Sequence, residues 1–291
     1  MSSNPETKSA ASSADEVRRE VSRAYADAVT GRKIETAKQN RVFAAIAGYD
    51  GEELSSLPAD AVQSSFGCGN PLAFAGVREG QTVVDLGSGA GIDLLIASRM
   101  VGPTGRVIGV DMTDEMIERA RANVAEAGAT NVEIRKGVIE QLPVEDASVD
   151  WVISNCVINL SPEKPRVFSE IARVLRPGGT MRVSDIVVSD LPAWVREMRQ
   201  MYSSCVAGAI SEDDYLAGLR EAGLTDVEVV ERLVYDRTQL RAFIATELKD
   251  ASTCGCCGGG SSQTVAPEVA DRIAEEVEGK IWSAKVVARK A

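Results

Sequence analysis

The feature that most constrains this chain is one run of nine residues, Val83-Val84-Asp85-Leu86-Gly87-Ser88-Gly89-Ala90-Gly91. A short apolar stretch, Thr82 to Leu86, ends in glycines, and helical spacing follows from Ile92 to Met100. That pattern predicts a buried strand, a tight loop and a helix. Alternate glycines leave no Cβ between backbone and ligand. The helix that follows points its positive end at whatever the loop holds. Asp85 sits just before the first glycine, where it would repel a pyrophosphate and attract a cation. The spacing also departs from the Gly-x-Gly-x-x-Gly of dinucleotide sites, so a dehydrogenase is the least favoured reading.

The same strand and helix signals alternate along the chain. Arg106 to Val110 is a second strand ending at Asp111, 24 residues beyond Gly87. A carboxylate there can accept both hydroxyl protons of a ribose. Asp114 to Gly128 predicts an amphipathic helix capped by Thr113 and stopped by glycine. Val132 to Lys136 and Val149 to Ser154 are further strands. Lys164 to Leu175 is a helix halted by Arg176-Pro177-Gly178-Gly179, and Thr180 starts a fifth strand. This alternation implies an α/β fold, a Rossmann-like, doubly wound and mostly parallel sheet.

Beyond Leu191 the pattern changes to helices at Ala193–Cys205 and Ser211–Ala222, the latter capped by Ser211. A strand (Leu224–Val234), a Gly/Ser/Cys-rich loop (Cys254–Ser262), a helix (Ala266–Glu278) and a closing strand (Ile281–Ala288) follow. Two late strands predict an antiparallel edge added to the parallel core, interrupted by an inserted substrate-binding region. At the other end, residues 1 to about 14 read as a disordered tail and Asp15 to Ala47 as helical. The expected division is 1–36, tail and N-terminal helix; 37–190, cofactor-binding core; 191–250, substrate-binding region; and 251–291, Cys-rich loop, helix and closing strand.

Composition narrows the function. Lys plus Arg is 32 against 43 Asp plus Glu, a net charge of -11. An acidic surface repels phosphate backbones and anionic lipid, so neither nucleic acid nor a membrane is expected as partner. No uncharged apolar run approaches the ~20 residues of a membrane span, and Met1 to Glu20 lacks the apolar core of a signal peptide. A cytoplasmic location, with reduced thiols, is the expectation. Histidine is absent, which excludes a Cys–His pair or a Ser–His–Asp triad within the chain. Six cysteines remain: Cys68, Cys156, Cys205, Cys254, Cys256 and Cys257. Cys156 follows the fourth strand, where doubly wound sheets open their ligand crevice.

The acidic residue before the glycine loop, Asp111 at the end of strand two and Pro177-Gly178-Gly179 before strand five resemble the class I S-adenosylmethionine methyltransferases. That resemblance implies that Asp85, Gly87, Ser88, Gly89 and Gly91 wrap the methionine half of S-adenosylmethionine. Asp111 would hold the ribose, Met112, Ile139 and Glu140 would border the adenine, and Asn155 would lie beside the reacting methyl. Three further segments narrow the family: Phe66-Gly67-Cys68-Gly69-Asn70-Pro71, Ser154-Asn155-Cys156-Val157-Ile158-Asn159-Leu160 and Ser203 to Ile210 around Cys205. With Leu57-Pro58, Asp85 to Asp93 and Gly279-Lys280-Ile281-Trp282-Ser283-Ala284, they are similar to the arsenite methyltransferases from about Ala37 to the C-terminus.

The family resemblance implies that Cys156 and Cys205 hold trivalent arsenic, a small-molecule substrate, with Cys68 as third ligand and redox partner. Soft arsenic suits thiolates. Methylation oxidises it, a cysteine pair returns it to the trivalent state, and a thiol reductant, thioredoxin or glutathione, resets the disulfide. The chain departs from the family in having no cysteine before Cys68, so the partner of Cys68 stays open. Cys254, Cys256 and Cys257 read as a metal-scavenging loop, with a redox role as the alternative. Two other functions compete: a methyltransferase for a small organic acceptor, and a non-catalytic thiol-rich arsenic- or metal-binding protein.

Overall fold

In the computed structural model of the chain, the described residues are 5–30, 49–65, 67, 69–72, 76–191, 206, 208–241, 244 and 267–291. The elements are α1 (Pro5–Thr30), α2 (Gly51–Ser55), α3 (Ala59–Gln63), β1 (Thr82–Leu86), α4 (Ile92–Val101) and β2 (Arg106–Asp111). They continue with α5 (Asp114–Glu126), β3 (Val132–Lys136), β4 (Val149–Asn155), a 3-10 turn (Ile158–Leu160), α6 (Lys164–Val174) and β5 (Leu175–Val188). The last four are α7 (Glu212–Glu221), β6 (Leu224–Val234), α8 (Pro267–Val277) and β7 (Ile281–Lys290).

Seven strands form one sheet in the order β3-β2-β1-β4-β5-β7-β6. The first five are parallel, with Val83 beside both Val107 and Trp151 and Asn155 beside Ser184. The antiparallel strand is β7, which slots between β5 and β6 and pairs antiparallel with both. The fold is thus α/β, doubly wound and mostly parallel, as expected. The order of winding reverses between β1 and β4, and such a reversal opens a crevice beyond the strand ends.

Both faces of the sheet are covered. On one, Val84, Leu86, Val152 and Met181 pack with Phe168 and Ile171 of α6 and Tyr215 and Leu219 of α7. The Phe168 and Tyr215 rings lie 5.2 Å apart, tilted by 59°. On the other face, Val83, Val107 and Ile153 pack with Leu94 and Leu95 of α4 and Leu54 and Ala61 from the segment before β1. A third cluster sits beyond the strand ends, where Cys156, Leu160, Ile186 and Val206 gather with Val21 of α1 and Ile273 of α8.

Local expectations meet mixed outcomes. Helix α1 starts at Pro5, inside the stretch expected as a disordered tail. Proline suits the first helical turn, and the Ala, Glu and Arg that follow favour helix. Residues 31–47 of the expected N-terminal helix and the expected helix Ala193–Cys205 lie outside the described residues. Thr113 does precede α5, but its hydroxyl makes no cap bond to the helix and donates to Ser22 instead, at 3.2 Å. Ser211 caps α7 through the Asp214 N–H at 3.0 Å. Strand β5 starts at Leu175, before the Pro-Gly-Gly, with a register shift opposite Val149 and Trp151 absorbing the turn.

Candidate active site

The loop after β1 is held by β2. The N–H groups of Gly87 and Ser88 donate to the Val110 carbonyl at 2.7 and 3.1 Å. Gly87 has φ +67°, and a Cβ there would meet Val157 at 2.5 Å. Only glycine lets the loop pass so close to the segment after β4. Gly91, with φ +93°, caps α4 and shapes the turn. The cleft under this loop measures about 970 Å³ including its open mouth. Of the ten expected cofactor-binding residues, Asp85, Gly87, Ser88, Gly89, Asp111, Met112, Ile139, Glu140 and Asn155 line it, and Gly91 stands behind them. Cys156 lines the same cleft.

Carboxylates dominate its electrostatics. Asp85 is buried, and its pKa is raised well above the ordinary value by burial, then by Asp93 and Asp111. Asp111 is raised by burial as well, although the N–H groups of Thr113, Gly89 and Met112 pull against it. Each Asp111 oxygen accepts one of these bonds, Oδ2 from Gly89 and Oδ1 from Thr113, both at 2.9 Å. Asp111 is half-buried and lines the cleft, so its carboxylate meets the space a ribose would fill. Among the described residues lining the cleft, the only Lys or Arg is Arg18, which already pairs with Glu140 and Glu163. A hollow lined by Asp85, Asp93, Asp111 and Glu140 therefore favours a cation. Ser88 adds a buried hydroxyl with no protein partner. Carboxylates for a cationic group, a carboxylate at the end of β2 for ribose hydroxyls and a loop whose Cβ-free approach leaves room all fit S-adenosylmethionine.

The far wall is built differently. Asn155 ends β4 and ties three segments together. Its amide donates to the Gly69 carbonyl at 2.5 Å and the Tyr49 hydroxyl at 2.9 Å, while its oxygen accepts from the Gly69 N–H at 3.1 Å. Tyr49 in turn donates to Asp93 at 2.8 Å. A Cβ on Gly67 would fall inside the Asn155 amide, and one on Gly69 would lie 2.5 Å from Ser184. Both neighbours of Cys68 thus pass close to the sheet, Gly67 against Asn155 of β4 and Gly69 against Ser184 of β5. Cys68 itself, Cys205, Cys254, Cys256 and Cys257 lie outside the described residues, so the expected arsenic ligand set is described only at Cys156.

Cys156 is buried, with φ +59°, and its N–H donates to the Ser184 carbonyl at 2.8 Å. It is disulfide-bonded. Val206, next to Cys205 in sequence, belongs to the same apolar cluster as Cys156. Beneath it, Asn159 donates to Asp185 at 2.8 Å and to the Ile186 carbonyl at 2.6 Å. Tyr215 donates to Asp185 at 3.4 Å. Burial pushes the pKa of Asp185 up to about 7, against the Ile186 N–H, Lys164, Asn159 and Tyr215.

Sequence reasoning missed Tyr49, Arg18 and Thr113 as parts of this site. Asp93 lies two residues beyond Gly91, in the first turn of α4, and that place was its only signal. Among the described residues, no cluster of three metal-ligating side chains is present and no helix is long and apolar enough to cross a membrane.

Comparison with known proteins agrees with this geometry. The family described as a methyltransferase domain matches residues 78–223. An arsenite methyltransferase of Halobacterium salinarum is 53% identical over 186 residues, covering 64% of this chain and 47% of that protein. One from Aquipseudomonas alcaligenes is 39% identical over 186 residues, covering 61% and 53%. The chain therefore spans about half the length of the curated relatives it matches. Among solved structures, the crystal structure of an arsenic (III) S-adenosylmethionine methyltransferase from Chlamydomonas reinhardtii has a TM-score of 0.62 and 34% identity, covering 82% of this chain and 71% of that one.

Proposed function

This chain belongs to the arsenite S-adenosylmethionine methyltransferase family, and we propose that it methylates trivalent arsenic held by its own cysteine thiolates, giving methylated arsenicals. The observation that supports this most is the shared cleft: Cys156 stands in the same wall-to-wall hollow as Asp85 and Asp111. Bound there, S-adenosylmethionine supplies an electrophilic methyl on a cationic sulfonium. Asp85 and the Gly87–Gly89 backbone hold its amino-acid end, with Gly91 shaping the turn. Asp111 accepts the ribose hydroxyls, and Met112, Ile139 and Glu140 border the adenine. Asn155 fixes the Gly67–Gly69 turn beside the reacting centre.

Cys156 and Cys205 hold arsenic throughout, and Cys68 is the third ligand, with residues 191–250 as the arsenic-binding region. Three thiolates leave trivalent arsenic a lone pair, which is the nucleophile. No proton is removed from it, so a chain without histidine needs no base. Transfer takes arsenic to the pentavalent state, and two electrons from a cysteine pair return it to the trivalent state as a disulfide forms. Thioredoxin or glutathione then reduces that disulfide. The disulfide at Cys156 supports thiol chemistry at this wall, and it must be reduced before arsenic binds. Incubating the protein with arsenite, S-adenosylmethionine and a thiol reductant should yield methylated arsenicals. Activity on a small organic acceptor that survives loss of Cys156 and Cys205 would sink the proposal.

A further inference from the structure

Helix α1 is joined to the core at one end of the cleft. Thr113 donates to Ser22 at 3.2 Å, and Arg119 of α5 donates to the Val29 carbonyl at 2.7 Å. Arg18, Val21 and Tyr25 all line the cleft. Their spacing of three and four places them on one helical face. Arg18 is a hub. Its Nη1 donates to Asp15 at 2.8 Å, its Nη2 to Glu163, and its Nε to Glu140 Oε1 at 3.1 Å. Glu140 Oε1 also accepts the Ser161 hydroxyl at 2.6 Å.

We infer that α1 is a wall of the cofactor site and that Arg18 is a positioning residue, which fixes the Glu140 carboxylate so that its second oxygen recognises the 6-amino group of the purine. The inference rests on the proposal that this cleft takes S-adenosylmethionine. Glu140 has a side chain only 4% exposed, and a buried carboxylate is stabilised by a paired cation and by hydrogen bonds. Arg18 supplies the charge. With Arg18 and Ser161 both on Oε1, the carboxylate is held at one oxygen, and among the described residues no donor reaches Oε2. Glu140 lines the cleft with Met112 and Ile139, the residues that border the purine on the proposed reading, and Oε2 is the acceptor left for it. A 6-amino purine presents a donor to it, whereas a 6-oxo purine presents a second acceptor and is repelled.

Isothermal titration of S-adenosylhomocysteine and its 6-oxo analogue, S-inosylhomocysteine, tests this. The ratio of the two affinities on one protein is insensitive to general loss of stability. Wild type should prefer the 6-amino ligand by about tenfold or more, the scale of one hydrogen bond to a charged acceptor. Glu140→Gln should lose most of that preference, Arg18→Ala should lose it to a similar extent, and the double variant should lose no more than either. Arg18→Lys, which keeps the charge, should recover part of it. A wild-type ratio in Arg18→Ala, or losses that add in the double variant, would overturn the positioning role while leaving the cofactor reading intact. Failure of wild type to bind either ligand would overturn the cofactor reading itself.

Discussion

The two walls of the crevice are built from the same kind of strand end and hold opposite chemistry. At the ends of β1 and β2 stand Asp85 and Asp93, both buried, and the half-buried Asp111, with Asp93 and Asp111 both repelling Asp85 and the pKa of Asp85 and Asp111 raised. Beyond β4 and β5 stands Cys156 among Leu160, Ile186, Leu191 and Val206. The first wall is ionic and suits a cation with hydroxyl groups. The second is apolar and sulfur-bearing, and suits a soft, polarisable centre. On the proposed reading the difference is a division of labour: the methyl donor would lie against the first wall and its acceptor against the second, with Asn155 between them.

The cysteine replacements put the heaviest load on that division. Cys156→Ser and Cys205→Ser should each abolish arsenite methylation and leave S-adenosylmethionine affinity unchanged, because a neutral hydroxyl cannot replace a thiolate toward soft arsenic. Full methylation by either variant breaks the comparison at its sulfur side. Cys68→Ser should cripple repeated turnover on arsenite and spare a single transfer to a monomethylated trivalent substrate, which has room for only two sulfur ligands. Single- and multiple-turnover assays on both substrates separate the two roles.

The walls should also differ in how pH acts on them. Asp185, under the sulfur wall, has its pKa raised by burial from an ordinary 3.8 to about 7. A raised carboxylate binds its proton more tightly in the folded state than in the unfolded one. Its contribution to stability is therefore greatest at low pH and is lost as pH rises from about 4 through about 7. The Asp185→Asn amide can still accept from Asn159 but carries no charge. Its stability relative to wild type should increase across that window by on the order of 2–4 kcal/mol, read as urea-unfolding curves at pH 5 and pH 8. A constant difference at the two pH values would mean that Asp185 is ionised throughout.

On the ionic wall, Asp111→Ala should weaken S-adenosylmethionine binding by roughly 1.5–3 kcal/mol, the range for hydrogen bonds to a charged group. Arsenite binding to the reduced protein, followed by thiol titration, should not change. Equal cofactor affinity in a folded Asp111→Ala protein would remove the ribose assignment.

Legibility followed the same division. The ionic wall was readable because its parts are local: a strand, a glycine turn and a helix start are neighbours in sequence, and Asp111 ends the very next strand. The sheet's parallel half was readable for the same reason. The place of β7 between β5 and β6 was not, since a strand pattern gives a strand's existence and not its neighbours. Arg18 and Glu140 are 122 residues apart, and Tyr49 and Asn155 are 106 apart. Contacts at that range depend on how finished elements pack, which periodicity does not encode. The buried Asp185 escaped notice because its partners, Asn159 and Tyr215, come from a turn and a helix 56 residues apart in sequence.

The smallest expected effect tests the joint between the walls. Tyr49 is fully buried in its hydrogen bonding: its hydroxyl donates to Asp93 at 2.8 Å and accepts from Asn155 at 2.9 Å. Asp93 belongs to the ionic wall, and Asn155 holds Gly69, next to Cys68 in sequence. Tyr49→Phe keeps the ring and removes only the oxygen, so both neighbours lose one partner. Each retains others, Asn155 on Gly69 and Asp93 on the Asn155 amide at 3.4 Å, which holds the cost near the low end for a buried hydrogen bond, about 1 kcal/mol or roughly fivefold in an affinity. If Tyr49 serves only the ionic wall, cofactor affinity should fall by that factor and arsenite affinity should not move. If it joins the walls, both should fall together, and the effect of bound cofactor on arsenite affinity should shrink in the variant, since linkage requires the two ligands to influence each other equally. The shared position of Tyr49 between Asp93 and Asn155 favours the second outcome. Measuring arsenite affinity with and without S-adenosylhomocysteine, in wild type and Tyr49→Phe, decides between them.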